Sequence, residues 1–252
     1  MLVYDKLVRP TKAQPGPDTP DDIRLGVYVD RIWDVDPVAE TFKMEGYLRL
    51  SWNDPRLAFN VSDAGRHRFN PSVWLPAWWD GKSSELPTII IDYITDLDVV
   101  EMLWDPVLFI GNSVNPKGLE KTDGAVYLSG DGTVYRSVRF IDTICTPFDF
   151  RWFPYDKQKL VANLQIYYYS KADVILTWAN EPVGTETNHC DVAEGGLPDV
   201  SEWMLEDPVF SYGEDFISTT GMTHYQQLTI TVDAYRQYYM WQRSYIWPST
   251  FI

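Results

Sequence analysis

Cysteine is nearly absent: the 252 residues hold two, Cys145 and Cys190. Two cysteines cannot build the disulfide framework of a small secreted scaffold, and no CxxC or Cys/His cluster with zinc spacing occurs. The three histidines, His67, His189 and His224, are scattered, and His189 beside Cys190 reads as a loop position. Basic residues are also scarce: 21 Lys and Arg against 36 Asp and Glu give a net charge of −15. That is the wrong sign for nucleic acid, whose phosphates attract Lys and Arg. It suits solubility and cationic partners such as metal ions or organic amines. No run of about 20 apolar residues is present, so no stretch reads as a membrane-spanning helix. Met1 to Pro20 holds only short apolar pieces before a Pro-rich linker. No secretory leader is read there, and the chain is expected to be in its mature form. The G-x-S-x-G, H-E-x-x-H, P-loop and dinucleotide fingerprints are all missing. We assign no catalytic residue and expect no enzyme, although carboxylates are plentiful enough that counting alone leaves a glycosidase pair open.

Hydrophobic residues make up 45% of the chain and aromatics 15%, with 11 Trp and 16 Tyr. That is ample for a core and favours strands. Asp22 to Val35 alternates apolar and polar residues (Ile23, Leu25, Val27, Val29, Ile32) with one slip, the signature of a half-buried strand. An acidic turn, Asp34 to Glu40, leads to a second alternating run, Thr41 to Asp54. Asp131-Gly132 signals a hairpin before a strand ending at Ile144. Strands are expected at Leu160 to Tyr169, Ser170 to Trp178, Ser201 to Phe216 and Tyr225 to Gln237. Asn180 to Asp199 reads as an exposed acidic loop. No helical period of any length appears. About ten short strands with intervening turn signals predict an all-β, immunoglobulin-like twisted sandwich. The expected division is an arm and linker over 1–21, a sandwich over 22–237 with an insertion at 66–103, and a tail over 238–252.

One stretch stands out, Cys145 to Leu160, CTPFDFRWFPYDKQKL. Pro147 and Pro154 exclude a helix interior or a central strand, so this is a long aromatic loop that must rest against something. It resembles the Cys-loop of pentameric ligand-gated ion channels: aromatic-Pro-aromatic-Asp followed by Gln falls on Phe153, Pro154, Tyr155, Asp156 and Gln158. The cysteines that name the family fall on Thr146 and Leu160, so its disulfide is absent here, as in bacterial members. Trp52, Asp54, Arg56 and Leu57 complete the family's W-x-D-x-R-L motif, its Asp and Arg read as a structural pair. Trp104 to Asn112 resembles a third motif, with Val107 where the family has Asp. Arg66 to Leu103 departs from the pattern.

The resemblance implies an extracellular ligand-binding domain of prokaryotic type, forming a homopentamer on the extracellular or periplasmic side of a cell membrane. Residues 238–252 would lead into the first transmembrane helix, and the membrane would be reached through helices not included in the chain. A small-molecule or cation ligand would sit between subunits in an aromatic box, each ring face attracting a cation by about 0.5–2 kcal/mol. By position that box draws on Tyr47, Tyr167, Phe216 and Tyr225, with Tyr135 and Arg136 on the complementary face. Gly111 replaces one aromatic wall. A coupling cluster would gather Asp36, Glu40, Asp149, Phe153, Pro154, Asp156 and Arg236. No cofactor is implied, but Glu181, Glu186, Asp191 and Glu194 in the acidic loop are candidate Ca2+ ligands, since a hard cation takes oxygen donors. Two other readings stay open: a soluble ring-forming binding protein of the same fold, and a carbohydrate-binding or hydrolytic β-sandwich.

Overall fold

The computed structural model describes residues 4–58, 92–94, 103–116, 124–128, 130–166, 168–179, 190–193, 196–200, 202–217 and 224–243. Two long strands, β1 (Asp21–Asp36) and β2 (Thr41–Asn53), pair antiparallel and form the spine. β3 (Asp92–Ile94), β5 (Gly124–Leu128), β6 (Thr133–Cys145), β8 (Val174–Trp178) and β9 (Cys190–Val192) extend them into a seven-stranded sheet in the order β3-β5-β6-β2-β1-β8, with β9 also on β1. The facing five-stranded sheet contains β4 (Leu108–Ile110), β7 (Lys157–Ile166), β10 (Trp203–Leu205), β11 (Val209–Tyr212) and β14 (Gln227–Arg236). A ribbon of β12 (Phe216–Ile217) and β13 (His224–Tyr225) stands apart, and one helical turn, α1 (Tyr238–Trp241), follows β14.

The alternation read in the sequence is the alternation that packs. Ile23, Leu25, Val27 and Val29 point inward from β1, and Phe42, Met44, Leu48 and Leu50 from β2. They meet Leu160, Ala162 and Leu164 of β7 and Leu228, Ile230 and Val232 of β14. Each fully buried Leu, Ile or Phe contributes about 1.5–3 kcal/mol by leaving water. The slip in β1 is a register shift between Val29 and Arg31, where a bulge restores the inward set at Ile32. Gly132 closes the β5–β6 turn with φ +87°, and a Cβ there would lie 2.4 Å from the Asp54 carbonyl oxygen. Turn geometry and contact both require glycine.

Fourteen strands appear among the described residues rather than about ten. The expected strand over Ser201 to Phe216 divides into β10, β11 and β12, because Asp207-Pro208 and Gly213 interrupt the ladder. The insertion at 66–103 lies outside the described residues except for β3 and Leu103, and the tail beyond 243 lies outside them altogether. No described helix is long and apolar enough to cross a membrane.

Candidate functional site

The loop between β6 and β7 is tied down where the absent disulfide would close it. Thr146 donates its hydroxyl to the Lys159 carbonyl at 2.9 Å, and its backbone N–H reaches the Glu40 carbonyl at 2.9 Å. Within the loop the Gln158 carboxamide acts as a clamp. It accepts from the Asp149 N–H at 2.8 Å and donates to the Asp149 carbonyl at 2.8 Å and to Asp156 at 2.6 Å. The Phe153-Pro154 peptide is cis.

Arg236, the last residue of β14, reaches into this loop. Its Nε donates to Asp156 Oδ1 at 2.7 Å and its Nη2 to Oδ2 at 3.1 Å, while Nη1 lies 3.1 Å from Glu202. The guanidinium lies 4.1 Å over Trp203, 4.9 Å over Phe153 and 5.9 Å over Trp241. Both the Arg236 and Asp156 side chains are 1% exposed. Burial pushes the Asp156 carboxyl up, but hydrogen bonds from Arg236 and Gln158 outweigh it and hold the group below the usual carboxylate range. Beside this pair opens a groove of about 470 Å³ lined by Pro37, Val38, Glu40, Phe150, Phe153 and Trp241, among others.

The coupling residues expected from the sequence are therefore partly reassigned. Asp156 and Phe153 do contact Arg236. Asp36 instead caps its own turn, accepting from the Val38 and Ala39 N–H groups at 2.8 and 3.1 Å. Asp149 pairs with Arg151 at 2.5 Å. Glu40 lines the groove with a backbone φ of +54°. The second carboxylate on Arg236 is Glu202, which the sequence reading missed. It arrives because β10 pairs with the end of β14, placing Trp203 opposite Arg236.

The described ligand-facing residues expected from the sequence fall on two separate sheets: β2 and β6 of the seven-stranded sheet, and the β12–β13 ribbon. Tyr47 is 37% exposed on the outer face of the seven-stranded sheet, its ring 6.3 Å from Tyr28. Tyr135 lies on that face too, but is buried against Tyr127 at 5.6 Å. Burial raises its phenol above the ordinary range, with Arg49 pulling the other way. Phe216 and Tyr225 pair with each other in the β12–β13 ribbon, which rests on the turn before β8 through Lys171 N–H to the His224 carbonyl at 2.8 Å. Tyr167 lies outside the described residues. So do Glu181, Glu186 and Glu194 of the acidic loop; Asp191, on β9, accepts from the Val192 N–H at 2.8 Å.

Arg136 is corrected. It belongs to the inward set of β6 with Val134, Val138 and Phe140, is 3% exposed, and forms an ion pair with Asp105 inside the sandwich. A side chain so buried cannot face a ligand. Asp105 also accepts from the Val107 N–H at 2.8 Å, and Val107 itself sits at φ +54°. The carboxylate missing at position 107 is thus supplied two residues earlier.

Arg49 was not singled out from the sequence. It shares the outer face of β2 with Tyr47, lies 5.9 Å over the Tyr28 ring, and influences Tyr135. The other cations of this face have carboxylates: Arg31 and Arg139 both close on Glu45, Lys43 meets Asp34 at 2.7 Å, and Arg24 lies 3.6 Å from Asp22. Among the described residues Arg49 has none. At the missing wall, a Cβ on Gly111 would lie 2.9 Å from Gln165, whose carboxamide covers that glycine and donates to Gln227 at 2.6 Å.

The family described as neurotransmitter-gated ion-channel ligand binding domain matches residues 1–238. The chain belongs to this family. It is 30% identical over 173 residues to the proton-gated ion channel of Gloeobacter violaceus, covering 68% of this chain and 39% of that protein. It is 29% identical over 140 residues to a gamma-aminobutyric acid receptor subunit beta-like protein of Drosophila melanogaster, covering 54% of the chain and 25% of the relative. It is 25% identical over 189 residues to the glycine receptor subunit beta of Rattus norvegicus, covering 74% and 32%. The chain thus spans between a quarter and two fifths of the length of these relatives. The family is one of ion channels, not enzymes. In this neurotransmitter-gated channel domain both cysteines are free, Cys145 exposed and Cys190 buried. The W-x-D-x-R-L pair holds as read: Arg56 grips buried Asp54 at 2.8 and 2.7 Å. Asp54 also accepts the Tyr4 hydroxyl at 3.0 Å, which fastens the N-terminal arm. Burial pushes that phenol up to about 12.

Proposed function

We propose that this domain binds a small ligand bearing a carboxylate where two subunits of a homopentamer meet, and that the Arg236–Asp156 junction passes the binding event to a pore carried by the rest of the protein. The observation that carries the ligand class is Arg49: a half-buried guanidinium among Tyr28, Tyr47 and Tyr135, with no carboxylate of its own among the described residues. An arginine held this way is poised for a bidentate anion, while the ring faces would suit an ammonium on the same ligand. A bare cation fits less well beside an uncompensated positive charge. The Arg236–Asp156–Glu202 cluster supports the coupling role, because it joins the β6–β7 loop, β14 and the segment before β10. Ion pairs that join separate elements bias a two-state change when their partners differ between the states.

The test has two parts. Light scattering on the purified chain should give a mass near five times 29.2 kDa. Calorimetric titration with glycine, gamma-aminobutyrate and acetate should show binding that Arg49→Ala weakens about ten- to hundredfold. Tetramethylammonium should bind more weakly than any of them. Preferred binding of tetramethylammonium, unaffected by Arg49→Ala, would overturn the carboxylate reading. Retardation by a soluble polysaccharide with no pentamer would favour the carbohydrate-binding alternative.

A further inference from the structure

The outer face of the five-stranded sheet carries a patch that neither proposed role uses. Leu160, Ala162 and Leu164 of β7 and Leu228, Ile230 and Val232 of β14 face the core. Strand alternation therefore turns Val161, Asn163 and Gln165 outward, beside Thr231, Thr229 and Gln227. β4 runs into Gly111 beside Asn163, and β11 into Gly213 beside Gln227. The chain is 23% charged, yet no charged residue falls on these three rows. Charge resumes one row further on, at Lys159 and Asp233.

The centre of the patch is a set of amides. Gln165 donates to Gln227 at 2.6 Å, and the Thr229 hydroxyl donates to Asn163 at 3.3 Å. The amide N–H groups of Asn163 and Gln227 and the hydroxyls of Thr231 and Ser211 have no partner among the described residues. The two glycines keep the amides open. A Cβ at Gly111 would lie 2.9 Å from the Gln165 amide carbon, and one at Gly213 2.6 Å from the Thr229 hydroxyl oxygen. Glycine inside a strand marks a place where something approaches closely.

The chemistry of the patch selects its partner. It offers an ion no charge. Its apolar groups, Val161, Val209 and a half-buried Phe109, are too few for the centre of a protein interface. Amides and hydroxyls that both donate and accept match a partner whose own groups do both. An uncharged face on a chain of net charge −15 complements a neutral partner and disfavours an anionic one. Three rows across four strands measure about 14 by 14 Å, room for a short sugar chain. We infer that this face binds a neutral oligosaccharide, with Asn163, Gln227 and Thr231 hydrogen-bonded to its hydroxyls. The inference depends on neither the carboxylate ligand, whose Arg49 lies on the other sheet, nor the Arg236 junction.

The experiment titrates the purified chain calorimetrically with maltotriose, cellotriose and triacetylchitotriose. At least one should bind, and trigalacturonate should bind more weakly than it does. Asn163→Ala should weaken the sugar about fivefold, the worth of one neutral hydrogen bond. Thr231→Arg, which sets a long charged side chain on the patch, should weaken it more than tenfold. Thermal unfolding checks that both variants fold, and Asn163→Ala carries the test if Thr231→Arg does not. No binding of any of the three neutral sugars, equal or tighter binding of trigalacturonate, or unchanged affinity in the folded variants would overturn the inference. So would a Thr231→Arg variant that breaks up an oligomer while no sugar binds, because a second copy would then be the occupant. Light scattering and glycine titration on the same samples report on the proposed function separately, so each can fail without the other.

Discussion

Arg236 and Arg49 occupy opposite kinds of site within one sandwich. Arg236 is closed in: two carboxylates, three aromatic faces and 1% exposure leave its charge fully used by the fold. Arg49 is half-buried on an open sheet face, with rings beside it and no carboxylate among the described residues. Burying an ion pair requires near-complete satisfaction, because each desolvated charge is worth several kcal/mol. The closed site therefore has no charge left to offer a ligand, whereas the proposed binding role falls to the open one. Arg136, paired with Asp105 in the core, belongs with Arg236 rather than with Arg49.

The largest expected effect breaks the closed site. Arg236→Ala strands Asp156 and should cost about 3–5 kcal/mol in denaturant unfolding. Arg236→Lys should lose less stability, yet still lose the two-oxygen grip. In a full-length channel the Lys variant should uncouple ligand binding from current, and unchanged agonist-evoked currents would refute the coupling role. Arg49→Ala should behave in the reverse way: stability within about 0.5 kcal/mol of the parent, but affinity for a carboxylate ligand down about ten- to hundredfold, the worth of a charged hydrogen bond. A loss of folding comparable to that of Arg236→Ala would erase the contrast.

Acid titration gives a smaller effect of known sign. The Asp156 carboxyl is depressed in the fold, so its contribution is present above the unfolded value of about 3.9 and is lost as pH falls through the lower folded value. The unfolding midpoint attributable to this pair should be flat from neutral pH to about 5 and should fall at more acid pH. Asp156→Asn should flatten that acid limb. The smallest effect is Gly111→Ala. The three atoms nearest the added Cβ all belong to the end of the Gln165 side chain, which can move aside, so the loss should be about 1 kcal/mol at most. Unchanged stability with altered ligand preference would show that the Gln165–Gln227 pair borders the binding site.

Much of the frame was legible. Alternation located β1, β2, β6, β7 and β14, and the slip in β1 marked the bulge. β9 fell in the expected loop, since three residues carry no period, and the division of Ser201 to Phe216 into β10, β11 and β12 was not legible either. Arg136 was misassigned although its signal was present: Val134, Val138 and Phe140 place it with the core set. Arg49 was equally accessible, two residues from Tyr47 on the same strand face. Glu202 was not, because nothing near it in the chain points to Arg236.

By itself the sequence determined what depends on near neighbours along the chain: strand alternation, the Asp131-Gly132 turn, and the proline-bounded aromatic loop whose residues mark the family. The tertiary structure decided which charges are spent and which are free. That depends on pairing between distant strands, as when β10 carries Glu202 to Arg236 or when Asp105 meets Arg136 across the core. Whether an ionised group can be buried depends on the partners that reach it, and chain separation does not reveal those partners.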